Sequence, residues 1–146
     1  MNILVCIDLS DSTNKIVQKA KELAKAVSAK LWVLHVAEPE PDFVGFDIGP
    51  QSVRDSRSKQ FHQEHRQIQE IANRMREDNL DTTALLVQGS TAETILMQAS
   101  SLNTDIIVLG SHGRGAVYKF LVGSVSESVI RKTELPIFIV PTHKRI

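Results

Sequence analysis

Five short runs of apolar residues recur along the chain, and segments with a different periodicity separate them. Each run is continuous rather than alternating, which is typical of strands that are covered on both faces. This order predicts an α/β fold in which right-handed crossovers place helices on both faces of a parallel sheet. The predicted strands are Ile3 to Ile7, Leu31 to Val36, Thr83 to Val87, Asp105 to Leu109 and Ile137 to Val140.

Helical patterns fill the intervals between these strands. Apolar residues return there every three or four positions, as on the buried face of an amphipathic helix. Asp11 and Ser12 are candidate N-caps for the first helix, and Ser90 forms a capping-box pattern with Glu93 at the start of the third. The apolar stripe of the first helix runs from Ile16 to Val27; the second helix is predicted to span Val53 to Asn79, and the fourth to end near Thr133.

One long connection interrupts the regular alternation. Three prolines and two glycines lie between residues 38 and 52, and they exclude a long regular element there. Long loops in small domains are often lids or interfaces. The segment from Pro39 to Gln51 is therefore a lid candidate, with a plain surface loop as the alternative.

The composition is that of a globular domain with no strong overall charge. The 146 residues include 17 basic and 17 acidic side chains, so no net field attracts nucleic acid or an anionic membrane. The first residues lack the pattern of a secretory signal, and no run of about 18 apolar residues follows. One domain over residues 1–146, located in the cytoplasm, is expected. The single cysteine, Cys6, is expected to be a buried thiol.

In parallel α/β sheets, ligands bind at the carboxyl ends of the strands, where the strand order reverses. Chemistry-bearing residues at those ends are therefore the candidates for a site. Asp8 and Ser10 follow the first strand, Val36 ends the second, Gly89 follows the third, and the glycine-rich stretch from Gly110 follows the fourth.

The stretch LGSHGRGAVYKFLVGSVS, residues 109–126, carries four glycines. Their spacing fits neither the dinucleotide fingerprint G-x-G-x-x-G nor the Walker P-loop. What remains is a turn after a strand, followed by Gly123 and Ser124 at the start of a helix. Such a start exposes unpaired amides that favour an anion, whereas the alternative is a sharp turn whose serines only cap the helix.

The pattern Gly110-x2-Gly113-x9-Gly123-Ser124 resembles the G-2x-G-9x-G-(S/T) motif of the ATP-binding universal stress proteins. The resemblance extends along the chain through LHV at 34–36, GSTAETI at 89–95, DIIVLGSHGRG at 105–115 and SVSESVIRKTELPIFIV at 124–140. It implies a Rossmann-like sheet, of the adenine nucleotide alpha hydrolase type, with strand order 3-2-1-4-5. Adenosine would lie over the ends of strands one and two and the triphosphate along the glycine stretch, with strands one and four flanking the point where the order reverses.

The resemblance also implies a role for each matched position. Asp8 would hold the ribose or the adenine edge, Ile7 and Val36 would line the base pocket, and Leu109 and Gly110 would border the ribose and phosphates. The phosphate cradle would consist of Gly113, Gly123, Ser124 and Val125. Magnesium or manganese would be held mainly through the ATP phosphates, and no protein metal ligand is expected.

Basic residues in or near this stretch are not part of the motif, and each has a plain structural alternative to a functional role. Arg114 and Lys119 are candidates for neutralising phosphate charge or are simply solvated. His112 is expected to be a loop residue, and His35 a hydrogen-bonded histidine of the core. No residue of the motif has the position of a hydrolytic base, so a nucleotide-dependent regulatory protein is expected rather than an enzyme, with slow ATP hydrolysis as an alternative.

Three other classes of protein share this general topology. A pyrophosphatase-type nucleotide enzyme has a glycine-rich loop after strand one, and CIDLSDS contains no glycine. A response regulator has an acceptor aspartate after strand three, where this chain has Gly89. A nucleotide-free interaction protein remains as the alternative. The resemblance further implies a homodimer formed through the last strand, Ile137 to Val140.

Overall fold

The computed structural model describes residues 1–37, 51–113 and 122–142, with the backbone alone for residues 51–56. The lid candidate therefore lies outside the described residues apart from Gln51, which belongs to a helix rather than to the loop. Arg114 and Lys119 also lie outside them.

Strands and helices alternate in the predicted order. The strands are β1 (Asn2–Ile7), β2 (Lys30–Ala37), β3 (Thr82–Gln88), β4 (Ile106–Gly110) and β5 (Ile137–Val140). The helices are α1 (Thr13–Val27), α2 (Gln51–Glu77), α3 (Thr91–Ser101) and α4 (Ser124–Lys132). Most bounds differ from the predicted ones by one or two residues, because the apolar pattern marks the buried part of an element and not its last hydrogen bond.

The five strands form one sheet in the order β3-β2-β1-β4-β5, and every neighbouring pair is parallel. The chain first builds outward from β1 to β3 and then returns to the other side of β1 with β4. The predicted order is confirmed, and the order reverses between β1 and β4. β5 lies at one edge of the sheet, as predicted.

Helices cover both faces of this sheet, which confirms the predicted layers. Ile3 and Val5 of β1 pack on the side of α1 and α2, against residues such as Ile16. The intervening Leu4 and Cys6 pack on the side of α3 and α4. A side chain alternates between faces at each strand position, so a continuous apolar run supplies both cores. Burying one such large side chain contributes about 1.5–3 kcal/mol.

The helix starts differ from the sequence-based prediction. Ser12 and Ser90 occupy the N-cap positions of α1 and α3, but neither side chain makes the capping hydrogen bond. The predicted capping box of Ser90 and Glu93 is therefore wrong in its hydrogen bonding. The Ser90 backbone is extended, at φ −72° and ψ 127°, so α3 begins after this residue without help from its side chain.

None of the helices in the described part of the chain combines the length and the apolar character that a membrane span requires.

Candidate functional site

A crevice opens at the carboxyl ends of β1 and β4. The last paired residues of β1 and β4 are Val5 and Val108. Each strand continues for two more residues, to Ile7 and Gly110, without pairing with the other. On the other side of β1 the ladder with β2 continues to the pair Ile7 and His35. The strands part only where the order reverses, which is the place where α/β sheets bind their ligands.

Asp8 stands at the entrance of this crevice, directly after β1. Its Oδ1 accepts the Ser10 amide at 3.0 Å, which holds the carboxylate in an Asx-type turn. Leu9, between them, has a left-handed backbone with φ 60°. The other oxygen, Oδ2, lies 3.3 Å from the position that a Cβ would take on Gly113. The structure thus brings Asp8 to the glycine stretch, as the sequence predicted.

Gly123 returns the chain to the turn that follows β4. Its amide donates to the Ser111 carbonyl at 2.6 Å. A Cβ on Gly123 would lie 3.4 Å from His112 Cα and 3.6 Å from the Gly113 nitrogen. These are ordinary contact distances, so the fold itself does not require glycine at 123. A side chain there would instead cover the Gly113 amide and fill the space beside it.

The first turn of α4 begins at this point. Gly123 is its N-cap, and no side chain caps the turn. The first amides of any helix lack partners within the helix, and the helix dipole makes this end favourable for an anion. Ser124 and Val125 are exposed here, with Val125 36% exposed. The turn at Gly113 and the start of α4 therefore place several backbone amide donors close to Asp8.

Gly110 has a different role from the other two motif glycines. A Cβ at this position would lie 2.9 Å from Ile16 Cδ1 and 2.9 Å from Thr142 Cγ2. Its carbonyl accepts the Ser126 hydroxyl at 2.7 Å. The neighbouring Leu109 is buried in the core under α3 and α4. Packing alone accounts for glycine at 110, and only backbone atoms of these two residues are left to border a ligand.

The predicted base-pocket residues lie at the carboxyl ends of β1 and β2. Ile7 and Val36 are both buried, and their side chains belong to cores on opposite faces of the sheet. Next to Val36, His35 Nδ1 lies 3.0 Å from the Ile7 carbonyl and must carry the proton, because a carbonyl only accepts. The expectation of a hydrogen-bonded core histidine is confirmed.

Glu64 of α2 approaches the other nitrogen of the His35 ring. Its Oε2 lies 3.5 Å from Nε2, which is within ion-pair range, yet Nε2 makes no hydrogen bond. At 3.5 Å this contact is longer than an ordinary hydrogen bond, so it is electrostatic at most. His35 thus holds the end of β1 with one nitrogen and faces α2 with the other.

Sequence reasoning missed a polar cluster of Ser111, His112 and Thr142 behind the glycine turn. His112 is buried, with 4% of its surface exposed, whereas a plain loop residue was expected. Its Nδ1 lies 3.0 Å from Ser111 Oγ, and its amide donates to Thr142 Oγ1 at 3.0 Å. The only available signal was the position of Thr142, which follows the last strand at the edge where the ligand is expected.

Within the described ranges, no three histidine, cysteine, aspartate or glutamate side chains come together as a metal site would require. Among the described residues, the crevice offers amide and hydroxyl donors and the Asp8 carboxylate as an acceptor. Such a set fits the oxygens of a phosphorylated sugar better than it fits a bare cation.

Comparison with known proteins gives a consistent result. The model of the universal stress protein family matches residues 1–141. A Thermus aquaticus relative, "Universal stress protein in QAH/OAS sulfhydrylase 3'region", is 33% identical over 138 residues, which is 94% of this chain and 96% of the relative.

Solved structures agree in fold. The hypothetical protein MJ0577 superposes with a TM-score of 0.81 at 24% identity, over 99% of this chain and 97% of its own. A universal stress protein solved in complex with cAMP gives 0.72 at 22% identity, over 98% of each chain. Because the family model matches residues 1–141 and the Thermus aquaticus relative is 33% identical over nearly its whole length, the chain belongs to the universal stress protein family.

Proposed function

We propose that this protein binds an adenine nucleotide, with ATP as the preferred ligand, in the crevice between β1 and β4. The observation that carries the proposal is the meeting of Asp8, Gly113 and Gly123 at the point where the strand order reverses. A relative of the same fold has been solved with cAMP, which supports an adenine nucleotide as the ligand class.

Each end of the crevice suits one part of the nucleotide. The Asp8 carboxylate is an acceptor for the ribose hydroxyls or the adenine edge, while the end of β1 and Val36 provide backbone and apolar contacts for the base. The Gly113 amide, the Ser124 hydroxyl and the first amides of α4 are donors for phosphate oxygens. Magnesium or manganese, held mainly by the phosphates, would neutralise their charge.

The protein acts as a nucleotide-dependent regulator and not as an enzyme in this proposal. Hydrolysis needs a group that activates or orients water beside the terminal phosphate. Asp8, the carboxylate at the crevice, is already held by the Ser10 amide and faces Gly113. Slow hydrolysis would reduce the lifetime of the bound state without changing this role. A cytoplasmic location is part of the same proposal.

The protein is also proposed to form a homodimer through β5. This strand is at the edge of the sheet, and within the described residues no strand pairs with its outer side. Phe138 of β5 is 38% exposed. Unpaired edge strands readily pair with a second copy, and a two-fold axis would make that pairing antiparallel.

Binding is tested first on the protein as purified. We expect denaturation to release an adenine nucleotide, and calorimetry with Mg-ATP to show saturable binding that is weaker when the metal is chelated. The absence of both released nucleotide and binding heat would refute the nucleotide site and favour a nucleotide-free interaction protein. Phosphate release at a rate well above that of a no-protein control would support the hydrolase alternative.

Two matched aspartates test the position of the site. Asp8→Asn keeps the shape of the turn but removes a charged acceptor, so ATP and adenosine should bind about tenfold or more weakly. Asp105→Asn is the control, because Asp105 also accepts a backbone amide, that of Asn2 at 2.7 Å, but at the amino-terminal end of the sheet. Equal affinity in the wild type and Asp8→Asn would show that the crevice assignment is wrong.

A further inference from the structure

The turn formed by Gly110, Ser111 and His112 has its backbone polar groups engaged from two directions. On the α4 side, the Ser126 hydroxyl bonds the Gly110 carbonyl and the Gly123 amide bonds the Ser111 carbonyl. On the β5 side, the Ser111 amide donates to the Val140 carbonyl at 2.8 Å. Both amides after Gly110, those of Ser111 and His112, already have acceptors, so the first backbone donor left for a ligand is the Gly113 amide.

Thr142, two residues beyond β5, binds both the amide and the carbonyl of His112, the last residue of this turn. Its Oγ1 accepts the His112 amide at 3.0 Å and donates to the His112 carbonyl at 2.9 Å. Its own amide donates to Ser111 Oγ at 3.0 Å. A hydroxyl has one proton, so once Thr142 donates to the carbonyl, the 3.3 Å contact with Ser111 Oγ requires Ser111 as the donor. Valine, with the same shape, could make none of these hydroxyl bonds.

The bond to the His112 carbonyl fixes the direction of the next amide. That carbonyl and the Gly113 N–H belong to the same planar peptide unit, and no cis peptide occurs in the described residues. In a trans unit the two groups point in opposite directions. Because Thr142 binds the carbonyl, the Gly113 N–H points away from Thr142. The Gly113 nitrogen also borders Gly123, at 3.6 Å from its Cβ position, at the start of α4.

Given the nucleotide binding proposed above, on which this role depends, we infer that Thr142 is a positioning residue for the nucleotide phosphates. Its hydroxyl orients the His112–Gly113 peptide so that the Gly113 amide is set as a phosphate donor before the ligand arrives. A preset donor avoids the ordering cost that a free peptide would incur on binding. The end of the edge strand thus serves the phosphate end of the crevice and not its adenosine end.

The test compares Mg-ATP with adenosine in three variants. Thr142→Val should weaken Mg-ATP binding about three- to tenfold, as expected for the loss of one oriented hydrogen bond, and leave adenosine binding unchanged. Thr142→Ser keeps the hydroxyl and should bind Mg-ATP like the wild type. Thr133→Val is the control, since Thr133 Oγ1 accepts the Leu135 amide at the other end of β5, and its affinities should not change.

A purely structural role for Thr142 predicts a different pattern. The melting temperature would fall, but Mg-ATP and adenosine affinities would either both remain or both fall by the same factor. Either pattern in Thr142→Val overturns the inference while leaving the nucleotide site intact. A wild type that binds no nucleotide refutes the proposed function, and the role of Thr142 with it.

The wild type alone decides the question if Thr142→Val does not fold. In a nitrogen-15 amide spectrum, the Gly113 resonance should shift clearly more on addition of Mg-ATP than on addition of adenosine. A Gly113 amide that does not respond to Mg-ATP, when other resonances show that it has bound, overturns the inference.

Discussion

The motif glycines Gly110 and Gly123 should respond in opposite ways to the same substitution. Alanine at 110 would place a methyl group 2.9 Å from both Ile16 Cδ1 and Thr142 Cγ2. Optimal carbon contacts begin at about 3.5 Å, so each neighbour would have to move by roughly 0.6 Å. Alanine at 123 would meet its nearest atom at 3.4 Å and needs no such movement.

These distances set the size of the effect on stability. Overpacking of a core costs about 1–3 kcal/mol, and replacing glycine by alanine returns about 0.4–1 kcal/mol by restricting the unfolded chain. At the middle of these two ranges, Gly110→Ala should lower the free energy of unfolding by about 1.3 kcal/mol. Gly123→Ala should leave it unchanged or raise it slightly. Neither glycine has a positive φ, so backbone strain adds nothing in either case.

Urea unfolding followed by tryptophan fluorescence measures this difference. Trp32 is the single tryptophan and is partly buried against the α3 side of the sheet. With a urea dependence of about 2 kcal/mol per molar, the midpoint of Gly110→Ala should fall by roughly 0.5–1 M. Mg-ATP affinity should be about tenfold weaker in Gly123→Ala because its methyl covers the Gly113 amide.

An unchanged midpoint for Gly110→Ala would refute the packing explanation for that glycine. Equal losses of stability in the two variants would show that Gly123 is a structural glycine as well. In that case its place in the proposed phosphate cradle would lose its main support.

Three further predictions concern the surface, the core and the edge of the sheet. Asp78 pairs with Lys21 through a hydrogen bond and charge attraction, which hold the pKa of the Asp78 carboxyl below its ordinary value. A depressed pKa contributes stability above the unfolded-state value and loses it as the pH falls through the folded-state value. The melting temperature of Asp78→Asn should therefore be slightly lower than that of the wild type near neutral pH, and the difference should shrink in high salt. It should begin to shrink as the pH falls below about 4 and vanish once the pH is below the folded-state pKa of Asp78; a difference that persists with Asp78 fully protonated would contradict this. Ile107→Ala, at a fully buried position, should cost about 2–5 kcal/mol in urea unfolding, whereas Met97→Ala, 65% exposed, should cost almost nothing. Phe138→Lys should shift sedimentation from dimer to monomer without loss of Mg-ATP binding, and a wild type that sediments only as a monomer at micromolar concentration would refute the dimer.

The sequence was sufficient for the fold because its signal is redundant. Each apolar run, such as Ile3 to Ile7, supplies both faces of a buried strand, and the helical stripes between the runs leave few arrangements of the sheet. The strand order itself came from the resemblance to the family. The approach of Asp8 to Gly113 could also be anticipated, because parallel strands bring their carboxyl ends to the same edge of the sheet.

What the sequence could not show was which hydrogen bonds form, either within one turn or between residues far apart in the chain. Ser90 and Glu93 have the spacing of a capping box, yet the bond is absent, because spacing permits a contact and does not enforce it. His112 and Thr142 are 30 residues apart, and nothing in their local patterns links them. The motif also does not distinguish Gly110, which serves packing, from Gly123, which leaves space beside an amide.

The buried Cys6 thiol can report on the transient unfolding that exposes β1. This only cysteine lies in the central strand under α3 and α4, and burial raises the pKa of its thiol, so it is both shielded and protonated in the folded state. A thiol reagent can modify it only during transient openings that expose β1. The rate of labelling then measures how often the sheet opens, and a ligand bound to the folded state must slow it in proportion to its occupancy. Unmodified protein can thus be screened for its natural ligand by the slowing of a single chemical reaction.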